Sequence, residues 1–290
     1  MRIPESELII NPDGSIFHLH IKPEQLAPNI ILAGDPGRIK MIADHFDKIL
    51  YSGENREFVW KTGLYRGKEF TALSTGIGTD NIDIVLTELD ALVNVDFETR
   101  TVKSEKQSLN IVRIGTSGSM QANIPVDTWL VSEKAIGFDG LLNFYDGRND
   151  VCDLDFERVF TDAVGWKSAL PAPYVIDADA NLVAKLNHTS AVKGVTISAP
   201  GFYGPQGRVV RLQLSHPELN SNITRFNYQN RKITNFEMEC SAIYGLSALL
   251  GHKAATVCVI IANRLAGKNS KDYNVPMRAL VQHVLDVLSK

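Results

Sequence analysis

Short apolar runs alternate along this chain with stretches in which apolar residues recur every three or four positions. That alternation predicts strands interleaved with sheet-covering helices, an α/β fold. Strand-like runs occur at residues 30–33, 70–74, 110–114, 128–132, 195–199 and 254–262. Helical stripes fall at Ile39, Ile42, Ala43 and Phe46, at Ile82, Val85, Leu86, Leu89 and Val93, and at Leu280, Val281, Val284, Leu285 and Leu288. Each stripe is apolar on one face only, as a helix lying on a sheet requires. Residues 57–61 and 68–74 surround a turn-like 63–67, so a hairpin mixes antiparallel pairing into the sheet. A further helix is predicted after Glu237 and Glu239, with Ala242, Ile243, Leu246, Leu249 and Leu250 facing a core and Gly251 ending it.

Composition narrows the picture. With 290 residues, 44% of them hydrophobic, the chain can bury a large core as one domain over residues 1–290. A formal net charge of −3 supplies no basic field, which argues against nucleic acid as a partner while leaving room for a local arginine cluster that binds a small anion. Cys152, Cys240 and Cys258 are odd in number, widely spaced and without a CxxC, the pattern of reduced thiols in the cytoplasm. The start lacks a cationic segment followed by an apolar run, and no apolar stretch is long enough to span a bilayer, so a soluble protein with no membrane partner is expected.

Two polar stretches are assigned no chemistry. Residues 94–109 read as a charged, solvated surface insertion. The acids of residues 139–155 miss the alternate-position spacing of a calcium loop. His18 and His20 can share a strand face, but no nearby Cys or acidic pair completes a metal site.

Chemistry concentrates where strands end. GDPGR, residues 34–38, follows an apolar run and opens a helix; it is either a small anion cradle, with Gly34 admitting backbone N–H groups and Arg38 adding a charged fork, or an ordinary strand-to-helix turn. In RIGTSGS, residues 113–119, Arg113 ends an apolar run and a glycine-bracketed loop with Thr116 follows. A buried arginine demands a partner, which an anion or a buried acid would supply equally well. STGIG, residues 74–78, is a third strand end with glycines that permit close backbone approach. GFYGPQGR, residues 201–208, offers Phe202 for stacking, Gln206 as donor and acceptor, and Arg208 for carbonyl oxygens, a set that suits a flat heterocycle or a structured surface loop. Glu237 and Glu239 either enter a buried wall or cap a helix in solvent. No Walker A loop, GxGxxG or GxSxG occurs, which disfavours nucleoside triphosphates, dinucleotides and a serine hydrolase.

Read in order, FHL (17–19), GDPGR, NREF (55–58), STGIG, RIGTSGS, FYGPQGR (202–208), NFEME (235–239) and VIIANR (259–264) resemble the motifs of the nucleoside phosphorylase-I family over most of the chain. The resemblance implies a three-layer α/β/α fold with a mixed central sheet. It implies a pentosyl transfer in which inorganic phosphate, as co-substrate, attacks C1′ of a nucleoside without organic cofactor or catalytic metal. By the same resemblance Gly34, Arg38, Arg113 and Thr116 bind phosphate, with Arg56 arriving from a neighbouring subunit. Met238 and Glu239 hold the ribose, joined by the neighbour's His18, while Phe202, Gln206, Arg208, Ile261 and Ala262 surround the base. Glu237 and Arg264 support these groups. The resemblance further implies a dimer or a hexamer built as a trimer of dimers, and an interfacial monovalent cation near Glu57, Ile77 and Asn81, where Asn81 replaces a serine. The set Arg38, Arg56 and Arg113 implies phosphorolysis rather than hydrolysis. Ala262 stands where purine-specific members carry an aspartate, which implies a pyrimidine nucleoside such as uridine and a role in pyrimidine salvage. Purine phosphorolysis and noncatalytic nucleoside binding are the alternatives.

Overall fold

The computed structural model describes residues 2–290. Strand β1 (Asn29–Ala33) leads into α1 (Pro36–Ala43), and a meander of β2 (Lys48–Asn55), β3 (Phe58–Tyr65) and β4 (Lys68–Ser74) feeds α2 (Thr79–Asn94). A small hairpin of β5 (Val95–Asp96) and β6 (Thr101–Val102) precedes β7 (Asn110–Ser119) and β8 (Trp129–Gly137). Next come α3 (Arg148–Val151), α4 (Leu154–Val164), β9 (Tyr174–Asp177), α5 (Ala180–Leu186), β10 (Val192–Ser198) and α6 (Leu219–Arg225). The chain closes with β11 (Asn227–Tyr228), β12 (Arg231–Glu237), α7 (Cys240–Leu250), β13 (Lys253–Asn263), β14 (Lys268–Asn269) and α8 (Asn274–Leu288).

The main sheet runs β11-β12-β10-β8-β13-β7-β1-β4-β3-β2 and is mixed. Strands β4, β1, β7 and β13 are mutually parallel, whereas β13 meets β8 and β4 meets β3 antiparallel. Alternation along β1 divides the core. Ile30 and Leu32 pack beneath α2 and α7, while Ile31 and Ala33 pack beneath α1, α5 and α8, so helices cover both faces as the three-layer expectation requires. A third apolar cluster gathers Phe156, Phe160, Ile223 and Phe226 around α4 and α6.

One pairing positions the site. Besides its parallel neighbours, β7 pairs antiparallel with β12, Asn235 opposite Ser119 and Phe236 opposite Gly118. This closes β7, β13, β8, β10 and β12 into a ring and carries the end of β12 across to β7. A register shift in β13 between Ile260 and Ala262 marks a bulge at the same rim.

Several expectations change in detail. RIGTSGS is not a loop: β7 continues to Ser119 because β13 pairs with it from Lys253 to Asn263. The hairpin turns at Arg66 and Gly67, both at positive φ, and Gly63 lies inside β3, where a side chain would collide with Phe46. Residues 104–108 are solvated as predicted, but the segment is anchored at both ends. Arg100, 8% exposed, donates to the carbonyls of Ile3 and Leu8, and Leu109 is buried. The acids after Phe138 are structural. Asp139 accepts from Tyr174, and Asp153 caps α4 while pairing with Lys134. Among the described residues no helix is long and apolar enough to cross a membrane, and no group of three His, Cys, Asp or Glu residues could hold a metal.

Candidate active site

A cavity of about 740 Å³ opens at the carboxyl ends of β1, β7 and β12. Parallel strands deliver side chains and free backbone groups to that edge, which is why open α/β sheets bind ligands there. Gly34, Arg38, Arg113, Thr116, Met238 and Glu239 line one end, and Phe202, Gln206, Arg208, Ile261 and Ala262 line the other.

Arg113 is the pivot of the first end. It is 4% exposed, and its guanidinium meets Glu237 at 3.2 Å and Glu239 through Nη2. Burial would lower its pKa, but Glu239 and Glu237 outweigh that and hold it firmly charged. The buried-acid partner is thus present. Arg113 Nε is buried without a hydrogen-bond partner. Gly115, two residues on and on the same face of β7, is required here because a Cβ would collide with the Arg113 guanidinium.

The two glutamates divide their work. Glu237 ends β12 and accepts the N–H groups of Glu239 (2.9 Å) and Cys240 (3.0 Å), so its carboxylate caps α7 from inside the core. Burial raises its pKa, Arg113 opposes and Glu239 adds to the rise, leaving the carboxyl at about 7. Glu239, 3% exposed, accepts Gly78 N at 2.8 Å with one oxygen and Arg113 with the other. Both readings of this pair therefore hold in part: a buried wall that also caps a helix.

The GDPGR turn is built by Asp35, whose side chain accepts Gly37 N at 2.8 Å, with Pro36 at the first helical position. Arg38 turns inward and donates to Ile114 O at 3.1 Å. Its pKa is lowered by burial and then by the charge of Arg113. Two buried cations facing one cavity favour an anion between them. Gly34 lets the turn approach Gly76, whose carbonyl would lie 3.1 Å from a Cβ.

The second end is a loop. Arg208 stacks over Phe202 at 3.7 Å from the ring centroid and donates to Gln206 Oε1 and Phe202 O, each at 2.6 Å. Gln206 is buried, its carbonyl held by Arg264 at 2.8 Å and Asn220 at 3.0 Å. Gly207 has φ +68° and lies against the Asn220 amide, so no side chain fits there. Burial and then Arg264 lower the pKa of Arg208. Arg208 is the sole charged group among the five residues of this end. Asn263 is turned away, donating to Gln121 O and Ile124 O.

A family profile described as "Phosphorylase superfamily" matches residues 28–287. The chain belongs to the phosphorylase superfamily. A solved Trypanosoma brucei nucleoside phosphorylase, described as showing uridine phosphorylase activity, is 31% identical and superposes with a TM-score of 0.88 over 97% of this chain and 99% of its own. A uridine phosphorylase of Thermococcus kodakarensis is 27% identical over 267 residues, 89% of this chain and 81% of the relative. A DeoD-type purine nucleoside phosphorylase of Listeria welshimeri is 25% identical over 255 residues, 87% and 89% of the two chains.

Two residues singled out from this superfamily's motifs lie outside the cavity of their own chain. His18 is held by Glu88, Nδ1 to Oε1 at 2.6 Å, and Arg56 is exposed at the turn between β2 and β3 with φ +55°. Glu57, Ile77 and Asn81 do line the cavity, but Asn81 turns its amide nitrogen to Glu57 at 3.2 Å. Glu57 and Asn81 both carry side-chain oxygens, the kind of ligand a monovalent cation takes. Tyr273, just before α8, also lines the cavity. It follows a polar stretch with no strand or glycine motif, and no local pattern marks it.

Proposed function

We propose that the chain is a uridine phosphorylase, a pentosyltransferase converting uridine and inorganic phosphate reversibly to uracil and ribose 1-phosphate in pyrimidine salvage. The observation that carries this reading is one cavity with two buried guanidinium groups and Glu239 at one end and an acid-free Gln206–Arg208 pair at the other. Phosphate is held by Arg38, Arg113, Thr116 and the backbone at Gly34, with Arg56 of the partner subunit completing the clamp. Glu239 and Met238 grip the ribose, assisted by His18 of the partner subunit. Phe202 packs on the base beside Ile261 and Ala262, while Gln206 and Arg208 bind its carbonyl and imide edge.

In the reaction a phosphate oxygen bonds to C1′ as the C1′–N1 bond breaks, and the electron pair of that bond leaves with uracil. Charge on the departing ring spreads to its carbonyl oxygens, where Arg208 neutralises it. Fixed donors of this kind are worth about 10²–10³ in rate each. Because Arg113 lines the cavity and contacts Glu239, one residue orients nucleophile and sugar together. Ala262 and the inward Asn263 leave no proton donor beside a purine N7, which favours the pyrimidine.

A dimer is the minimum active unit, with a trimer of dimers as the full assembly, in the cytoplasm, and Glu57, Ile77 and Asn81 are the candidates for an interfacial monovalent cation. Uracil release on mixing purified protein with uridine, with and without phosphate, tests the reading. Release only with phosphate is expected. Faster cleavage of inosine, or binding of uridine without release of base, would overturn it.

A further inference from the structure

Glu88 lies mid-helix in α2, is 8% exposed and is absent from the cavity lining. A buried carboxylate is costly unless its oxygens are satisfied. Three donors from one short segment satisfy them: His18 N at 3.0 and 3.1 Å, Leu19 N at 2.9 Å and His18 Nδ1 at 2.6 Å. Asn55 Nδ2 adds a bond to His18 O at 2.8 Å, tying His18 to the turn that carries Arg56. The His18 ring is 29% exposed, and its Nε2 has no hydrogen-bond partner among the described residues.

An ionised carboxylate only accepts hydrogen bonds, so in the neutral imidazole the contact with Glu88 puts the proton on Nδ1 and leaves the lone pair on Nε2. We propose that Glu88 is a positioning residue for substrate selection: it locks His18 in the tautomer whose free Nε2 accepts a hydrogen bond from the 5′-hydroxyl of a nucleoside in the partner subunit's cavity. The inference rests on the uridine phosphorylase reading. An accepting Nε2 rewards a free 5′-hydroxyl and gives nothing to a 5′-deoxy sugar, which has no proton to donate there.

Steady-state kinetics of wild type, Glu88→Gln, His18→Ala and the double variant, with uridine and 5′-deoxyuridine, test this. Glu88→Gln is expected to raise the KM for uridine about tenfold, the upper end of what one neutral hydrogen bond contributes. It should leave the phosphate KM and all 5′-deoxyuridine parameters within twofold, and the double variant should match His18→Ala. Equal impairment toward 5′-deoxyuridine, or an unchanged uridine KM, would overturn the inference alone. Absence of phosphate-dependent uridine cleavage by wild type would overturn the underlying reading with it. Imidazole ¹⁵N shifts of wild type are expected to mark Nδ1 as protonated; an Nε2-protonated ring would overturn the proposal whatever the variants do.

Discussion

The two ends of the cavity are built on different principles. At one end Arg113 lies within β7, Arg38 in the first turn of α1 and Glu239 just past β12, all nearly inaccessible and holding one another or the backbone. At the other, Phe202 is 50% exposed on a loop between β10 and α6, and Arg208 folds back over it. Charge needs a rigid, dry setting because reorganisation of dipoles costs most where water is excluded. A base must enter and leave, and a loop that trades an internal stack for a ligand does so at low cost. On the proposed reading, the buried end holds phosphate and ribose while the loop receives the base.

Arg113→Ala should break that contrast most severely. It removes the cation from between Glu237 and Glu239, so stability should fall by about 3–5 kcal/mol, the range for orphaning a buried charge. Phosphorolysis should drop at least about 10³-fold. Urea unfolding and steady-state kinetics measure the two losses, and a variant of wild-type stability would refute the network. Gly115→Ala should cost less, about 10²-fold in kcat/KM, by displacing the guanidinium without removing it; the loss should appear when phosphate is varied.

Arg208→Ala tests the loop end. We expect about 10- to 100-fold lower kcat/KM for uridine, with stability within about 0.5 kcal/mol of wild type, since the side chain is half-buried on a loop. A large loss of stability would mean that the loop is as structural as the sheet.

A further test is the pH dependence of stability. The carboxyl of Glu237 is raised from 4.5 to about 7 in the folded chain, so its contribution to stability is fully present below pH 4.5. That contribution declines as pH rises through about 7. The difference in Tm between wild type and Glu237→Gln should shift against wild type across that window and be flat above it. A difference that moves the other way would show that Arg113 and the α7 amides dominate over burial.

Much of the first end is legible in the chain because it is local. GDPGR carries its own cap, helix start and glycine, so the turn and the cradle share one signal. Arg113 is conspicuous because an apolar strand rarely holds a cation. The reading of residues 113–119 as a loop fails because glycine and hydroxyl residues resemble a turn until β13 pairs with them throughout. Residues 94–109 look free for a related reason: nothing nearby reveals that Arg100 clasps the N-terminal segment. Tyr273 is invisible for want of any motif, although it shares the cavity with Arg38.

By itself, then, the order of residues determines the alternation of strand and helix, the loops at strand ends and the types of group they carry, since periodicity and turn chemistry act over a few residues. Tertiary structure alone decides which groups meet. Glu239 reaches Arg113 across 126 positions because β12 closes onto β7, and His18 is drawn away from its own cavity by Glu88. Such contacts depend on pairing and packing between distant segments, which no local pattern encodes.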